Sequence, residues 1–268
     1  MSYLAFVAAF AFGLLIGSFL NVCIHRMPRD ESVVSPRSRC VQCGHPIRWY
    51  DNIPVVSFVW LGGRCRDCRA ALSFLYPVVE LLTGLMFVLL VMRFGVGLLT
   101  LKYAVFISMM VVLGFADLIH RLLPNQITLG GAAAGVAFSL IEPLTPGIVS
   151  FFLAMWGAKP DPLLASVVES VVGATVAAGI LYLVAEIYFR LRFREGMGLG
   201  DVKMMALIGA FLGLGPAFWV VMLASVLGAV LGLIFILLFR KGMMYELPFG
   251  TFLALAAILL VVWRHEAA

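Results

Sequence analysis

The chain has 268 residues, of which 63% are hydrophobic and only 12% charged, and its mean hydropathy is +1.08. Soluble domains contain about 45–50% apolar and about 25% charged residues, so this composition excludes a water-soluble globular protein and predicts an integral membrane protein. The net charge of +5 does not indicate a nucleic-acid partner, because Lys and Arg mark the cytoplasmic loops of membrane proteins.

The first apolar segment reads YLAFVAAFAFGLLIGSFLNVCIHRMP. It lacks the basic start and the small-residue cleavage site of a signal peptide, so we interpret it as a retained first membrane helix. Seven further apolar segments follow, and together they predict an all-α polytopic membrane protein. The eight predicted spans are 3–24, 74–93, 97–119, 126–142, 163–189, 202–214, 216–239 and 249–263.

Two of these spans, the fourth and the sixth, are short and rich in Gly and Ala, which favours close packing against neighbouring helices. Segment 148–156 is apolar but too short to span.

The loops also differ in charge. With the N-terminus outside, fifteen of the 19 Lys and Arg residues fall in or beside the four inside loops and four fall outside. This bias supports eight spans with both termini outside.

The predicted domain organisation has a first transmembrane helix at 1–24, a cytoplasmic loop at 25–73 and a helical transmembrane core at 74–268. The loop carries two C-x-x-C pairs, Cys40 with Cys43 and Cys65 with Cys68, separated by 21 residues. Two such pairs can present four thiolates to one tetrahedral zinc ion, although the spacing is slightly longer than the usual pattern. A structural disulfide is not expected in a cytoplasmic loop.

The four cysteines are therefore predicted to hold a structural Zn²⁺, with a redox pair as the alternative. Whether the loop also shapes a substrate or cofactor surface stays open. His45 is interpreted as a loop residue, because four thiolates already complete the shell, and Cys23 as a packed apolar side chain.

Carboxylates within membrane spans are costly and usually functional. Asp117 lies near the cytoplasmic end of the third predicted span, and Asp201 begins the sixth, so the two are expected at one membrane face and at similar depth. Two carboxylates at one site can share a proton, which leaves one acid and one base. Such a dyad can hydrolyse a peptide bond with an activated water and no covalent intermediate.

Each aspartate has a structural alternative: Asp201 could cap its helix, and Asp117 could pair with Arg121. Three glycines near Asp201 could allow a tight turn, the approach of a substrate strand and movement of this region; they are Gly196, Gly198 and Gly200. Three glutamates are assigned no catalytic role. Glu80 could line the same cavity as the dyad, whereas Glu169 and Glu186 could pair within the bundle or face water.

At this point the sequence resembles the type IV prepilin peptidases, through stretches that run from residue 17 to residue 254. They are GSFLNVCIHRMP, C-x-x-C-GHPIRWYDNIPVVSF, GRCRDCRAALSFLYPVVELLTG, ADLIHRLLPN, GMGLGDVKMMALIGAFLG and LPFGTFLA. GxGD alone would be a weak signal, because other intramembrane aspartyl proteases contain it. One departure is that many relatives have a proline where Thr251 stands.

The resemblance implies cleavage of the basic leader of prepilins and pseudopilins at the cytoplasmic face of a bacterial inner membrane, in a type IV pilus or type II secretion system. It maps the catalytic aspartates onto Asp117 and Asp201. Members with the four-cysteine loop typically also N-methylate the new N-terminal residue with S-adenosylmethionine. The alternatives are a peptidase-only member, or a membrane transporter or assembly protein with a structural zinc loop. A transporter should carry its carboxylates near the midplane, often with internal repeats, and none is evident.

Overall fold

A computed structural model describes residues 3–157, 161–193, 197–239 and 248–263. Within these ranges the protein is helical, with short 3₁₀ turns at Met27–Arg29 and Trp49–Asn52, and its β-type pairing is limited to two isolated bridges in the 27–74 loop. The α-helices of the described part are α1 (Tyr3–Arg26), α2 (Val56–Trp60), α3 (Leu75–Phe94), α4 (Leu98–His120), α5 (Asn125–Ile141), α6 (Ile148–Met155), α7 (Pro162–Arg192), α8 (Leu199–Leu212), α9 (Leu214–Phe239) and α10 (Phe249–Trp263).

A helix occupies each of the eight segments predicted to span the membrane. Five of them are long and apolar enough to cross a bilayer. They are α1 with the turn that follows it, α3, α4, α7 and residues Leu214–Ile234 of α9. The helices α5 and α10 are apolar but have 17 and 15 residues, and α8 has 14. A multi-pass membrane protein is therefore confirmed, whereas the count of eight spans stays a prediction. The segment predicted to be too short to span forms the eight-residue helix α6.

The chain divides into two compact units, residues 1–112 and 113–268. In the first unit α1 and α3 approach closely through small residues. A Cβ added to Gly17 would lie 2.7 Å from the Cα of Glu80, and one added to Gly13 would lie 2.7 Å from the Cα of Gly84. The G-x-x-x-G spacing of Gly13 and Gly17 places both glycines on one face of α1 and lets the two backbones meet.

In the second unit the short helix α8 packs against α5 and α7. Gly173 of α7 and Gly209 of α8 face each other so closely that a Cβ on either would overlap the carbonyl group of the other. On α5, a Cβ added to Gly135 would lie 2.8 Å from the Cβ of Ala210. These contacts confirm the close packing predicted for the two Gly- and Ala-rich helices, and they hold α8 in the interior of the unit.

Candidate active site and metal centre

The helix α8 begins two residues before Asp201. Gly198 is its N-cap residue, with extended backbone at φ −76° and ψ 148°, and no side chain caps the helix. Asp201 is thus the third residue of α8, and the alternative that it is the helix cap is wrong. Its side chain is 8% exposed. A carboxylate in the first helical turn is favoured by the helix dipole, which accounts for its position there but leaves its chemical role open.

Asp117 lies one turn before the end of α4 and is 7% exposed. Its Oδ2 accepts a hydrogen bond of 2.8 Å from the backbone N–H of Thr251, near the start of α10. The hydroxyl of Thr251 lies 3.2 Å from the same Oδ2 and 3.0 Å from the carbonyl oxygen of Gly114. Because a hydroxyl has one hydrogen, it donates to one of these acceptors at a time.

Gly250 brings the two carboxylates together. A Cβ built on this glycine would lie 3.0 Å from Oδ2 of Asp117 and 3.2 Å from Oδ1 of Asp201. The two oxygens are therefore close in space, although 84 positions separate the residues in the chain. Both acids adjoin one backbone position that bears no side chain, and each has an oxygen beside the space that a Cβ would fill.

The start of α8, which carries Asp201, contacts the residues that follow α4. Lys203 Nζ of α8 donates a 2.8 Å hydrogen bond to Oδ1 of Asn125, the first residue of α5. Gly200, in the first turn of α8, is packed so that an added Cβ would lie 3.1 Å from Cδ1 of Leu123. Gly196 lies outside the described residues. A role of the three glycines in the approach of the substrate stays a prediction.

The three glutamates have separate environments. Glu169 is 2% exposed, and its Oε2 accepts a 3.0 Å hydrogen bond from the backbone N–H of Val149, in the first turn of α6. Glu186 forms an ion pair of 2.7 Å with Arg190 on the exposed side of α7. Glu80 lines a cavity, but that cavity is walled by residues 18–80 and includes neither aspartate.

The four cysteines of the loop form one cluster. Their sulfur atoms all lie within 4.8 Å of one another, and the sulfurs of Cys40 and Cys68 are 3.8 Å apart. A tetrahedral Zn²⁺ with Zn–S bonds of about 2.3 Å requires sulfurs about 3.8 Å apart, so the donor set fits such an ion. His45 is exposed and lies outside the cluster, as predicted. Cys23 is buried in α1, also as predicted.

Each cysteine pair is held in a similar turn. The backbone N–H of Cys40 donates to His45 O and that of Cys65 donates to Ala70 O, both at 2.9 Å. The residue after the second cysteine of each pair has left-handed backbone, with φ 70° at Gly44 and φ 58° at Arg69. This conformation turns the chain back and brings the two sulfurs of each pair to the same side.

Charge and hydrogen bonding in the loop support this arrangement. Hydrogen bonds, the strongest from the backbone N–H of Cys43, lower the pKa of the Cys40 thiol to about 7, which favours the thiolate that binds metals. The backbone of Ala70 acts in the same direction on Cys68, but burial and the neighbouring cysteines outweigh it and raise the pKa of that thiol to about 11. The guanidinium of Arg66 binds both oxygens of Asp51, with Nε at 2.8 Å and 3.1 Å, and holds the pKa of that carboxyl below its usual value. This ion pair ties the second cysteine turn to the segment between the pairs.

Gly250 and Thr251 contact the dyad but were assigned no role from the sequence. They lie in the stretch LPFGTFLA, which contributed only to the family resemblance. No charge, metal-ligand spacing or periodicity distinguishes them, because their role depends on contact with a residue more than 130 positions away.

The chain matches two family descriptions. Residues 11–94 match the bacterial peptidase A24 N-terminal domain, and residues 104–233 match the type IV leader peptidase family. A relative from Aeromonas salmonicida (strain A449) is 35% identical, over 98% of this chain and 92% of its own. Relatives from Myxococcus xanthus (strain DK1622), 38% identical over 86% of this chain and 63% of their own length, and from Pseudomonas putida, 33% over 95% and 89%, carry the same name, prepilin leader peptidase/N-methyltransferase. No solved structure matches the chain.

Proposed function

Because the chain belongs to the type IV leader peptidase family, we propose that it cleaves the basic leader of prepilins or type II secretion pseudopilins and then N-methylates the new N-terminal residue. The bond is cut by the aspartate dyad at the cytoplasmic face of a bacterial inner membrane. The substrate is a membrane-anchored helix with its leader in the cytoplasm, so the dyad meets the bond where the helix enters the bilayer. The relatives with this double name support the assignment.

The observation that carries the peptidase proposal is the meeting of both buried carboxylates at Gly250. The hydrogen bonds offered to Asp117 by Thr251 stabilise its ionised form, which suits it to be the base. Asp201 then keeps the shared proton and is the acid. A transporter or an assembly protein would have no need of two carboxylates in contact with one glycine.

The reaction follows from this distribution of protons. Asp117 takes a proton from a water molecule while the oxygen of that water adds to the scissile carbonyl carbon. At the same time Asp201 gives its proton to the carbonyl oxygen. The C–N bond then breaks as the leaving nitrogen receives the proton held by Asp117. Asp201 recovers a proton from a hydroxyl of the departing acid, which restores both aspartates.

The four cysteines would hold one structural Zn²⁺, which would fold the loop at 25–73. S-Adenosylmethionine would be the methyl donor and would supply an activated methyl group for the free α-amino nitrogen. Under this proposal the first helix at 1–24, the zinc loop at 25–73 and the start of α3 serve methylation, and the rest of the core at 74–268 carries the peptidase.

The test uses detergent-solubilised protein, a prepilin and labelled S-adenosylmethionine, with cleavage and methylation read separately. We expect Asp117→Asn and Asp201→Asn each to abolish cleavage, because Asn is nearly isosteric but can neither accept the water proton nor hold the shared one. Glu at either position should also fail, since displacement of a catalytic group by about 1 Å can cost about 10²-fold in rate.

Methylation of a pre-cleaved pilin by the same variants is the folding control. Inactive cleavage together with retained methylation supports the dyad. Cleavage by Asp201→Asn at the wild-type rate would leave that carboxylate with no catalytic role and would disprove the dyad. A wild-type protein that cleaves but transfers no methyl group would be a peptidase-only member.

A further inference from the structure

A cavity of about 430 Å³ lies in the first unit, between α1, α3 and the 27–74 loop. Its volume is within the range of about 300–1,000 Å³ typical of small-molecule sites. The two helices contribute polar side chains at spacings of three or four residues, which place them on one face of each helix. On α1 these residues are Ser18, Asn21 and His25, and on α3 they are Tyr76 and Glu80.

Glu80 supplies a buried carboxyl group to this cavity. The residue is 7% exposed, although the other charged residues of the lining are partly or fully exposed. Its Oε2 accepts a 2.8 Å hydrogen bond from the backbone N–H of Val55. Val55 has φ 60°, a conformation that is a genuine outlier for a β-branched residue. Backbone strain of this kind concentrates at ligand sites, and here it accompanies the hydrogen bond that holds the carboxylate.

The wall beside Glu80 is formed by two aromatic rings. The rings of His25 and Tyr76 are 5.3 Å apart at 42°, and the side-chain amide of Asn21 donates a 3.0 Å hydrogen bond to the carbonyl oxygen of Tyr76. At the loop side the lining includes the exposed guanidinium groups of Arg29 and Arg39, together with the carboxylates of Glu31 and Asp51, the latter paired with Arg66. The cavity thus combines a buried carboxyl group, two aromatic rings and guanidinium groups at its exposed side.

We propose that this cavity binds S-adenosylmethionine, with Glu80 as the counter-charge of its sulfonium centre; this inference rests on the methyl transfer proposed above. The sulfonium carries a fixed positive charge that the buried carboxylate would balance, whereas the ammonium of the donor is balanced by its own carboxylate. Its adenine is a flat ring suited to the wall of His25 and Tyr76. Its carboxylate matches the guanidinium groups of Arg29 and Arg39.

The first cysteine turn forms part of the same cavity. Cys40, Val41 and Gly44 are among the lining residues, so a metal held by the four cysteines would fix one wall of the pocket. This contact gives a physical reason for a zinc loop in a protein whose proposed dyad lies in the second unit: the loop would shape the donor site.

The test is equilibrium dialysis of labelled S-adenosylmethionine against the detergent-solubilised full-length protein, which reads binding without turnover. We expect Glu80→Gln to weaken binding by at least about tenfold, because it removes a charge-assisted contact, whereas Gln can still accept the hydrogen bond from Val55. Glu186→Gln is the matched control, since that glutamate is exposed and pairs with Arg190, and it should bind like wild type. Leader cleavage should be kept in both variants and reports correct folding.

A second variant covers the case in which Glu80→Gln fails to fold. Ser38 lines the cavity from the loop and is half-buried, so Ser38→Phe should fill the pocket and also abolish donor binding, with zinc content and cleavage unchanged. If wild type binds the donor and folded Glu80→Gln and Ser38→Phe bind it equally well, this cavity is not the donor site. If wild type neither binds the donor nor methylates, the proposed methyl transfer itself is wrong.

Discussion

At the scale of single residues, the proposed dyad has two neighbours without a titratable group, Gly250 and Thr251. Thr251 offers a backbone N–H and a hydroxyl to Oδ2 of Asp117. The family resemblance indicates that many relatives have a proline at this position, and proline lacks both donors. This chain therefore offers the Asp117 carboxylate two donors that a proline at the same position could not supply.

The hydroxyl can be tested apart from the backbone. We expect Thr251→Val, which keeps the shape and the N–H, to lower kcat for cleavage about three- to tenfold with little change in KM. One hydrogen bond contributes about 0.5–1.5 kcal/mol, and somewhat more when an ion accepts it. Thr251→Ser should cleave nearly like wild type. Thr175→Val is the control, because the hydroxyl of Thr175 is exposed and donates to the carbonyl oxygen of Val171 in the same helix. Equal rates for the Val and Ser variants at position 251 would mean that the hydroxyl serves Gly114 alone.

Gly250 should be sensitive to a single added methyl group. Gly250→Ala places a Cβ about 3 Å from an oxygen of each aspartate, so at least one carboxylate has to move. We expect cleavage to fall by roughly tenfold or more, since catalysis depends on sub-ångström placement. Gly179→Ala is matched, because a Cβ there meets nothing within 4 Å, and it should leave the rate unchanged. Cleavage by Gly250→Ala at the wild-type rate would show that the acids tolerate displacement.

At the scale of elements, sequence reasoning succeeded where a property is carried by a continuous run of residues. Apolar runs located the helices to within a few residues, and C-x-x-C spacing located the sulfur cluster. The start of α8 was placed too late, because Leu199 and Gly200 look like loop next to Gly198 and only the packing of Gly200 against Leu123 reveals the helix. The hydrogen bond between Val55 and Glu80 could not be predicted either, since it depends on an unusual backbone conformation at a valine.

The cysteine turns give a prediction about metal. We expect one Zn²⁺ per chain by elemental analysis, and a lower content when Cys40 or Cys65 is replaced by Ser, because each thiolate is one quarter of the coordination shell. The loop should become more sensitive to protease, since structural zinc supplies folding free energy. Methylation should fall more than cleavage.

Cys23→Ala is the control for those variants, because Cys23 is buried in α1 and lies outside the cluster. It should keep the full zinc content. Full zinc occupancy in the protein with all four loop cysteines changed to Ser would show that the metal is bound elsewhere.

At the scale of the whole molecule, the distribution of Lys and Arg predicts the orientation in the membrane. A cysteine introduced at position 45 should be protected from an impermeant thiol reagent added outside sealed, right-side-out vesicles. One introduced at Val96, in the exposed α3–α4 connection, should react. The Cys23→Ala parent gives the background from the zinc-bound thiols. Labelling of position 45 from outside would reject the eight-span topology.

The positions of the acids within their helices determine how the site obtains water. Asp117 lies three residues before the end of α4, and Asp201 is the third residue of α8. At a rise of about 1.5 Å per residue, each lies within about 5 Å of the adjoining connection, measured along its own helix axis. Hydrolysis consumes one water molecule for every bond cut, and the hydrocarbon interior supplies none. Because each acid is so near a helix end, water that hydrates the adjoining connection would lie within about one helical turn of it, and the proposed hydrolysis could draw its water from there.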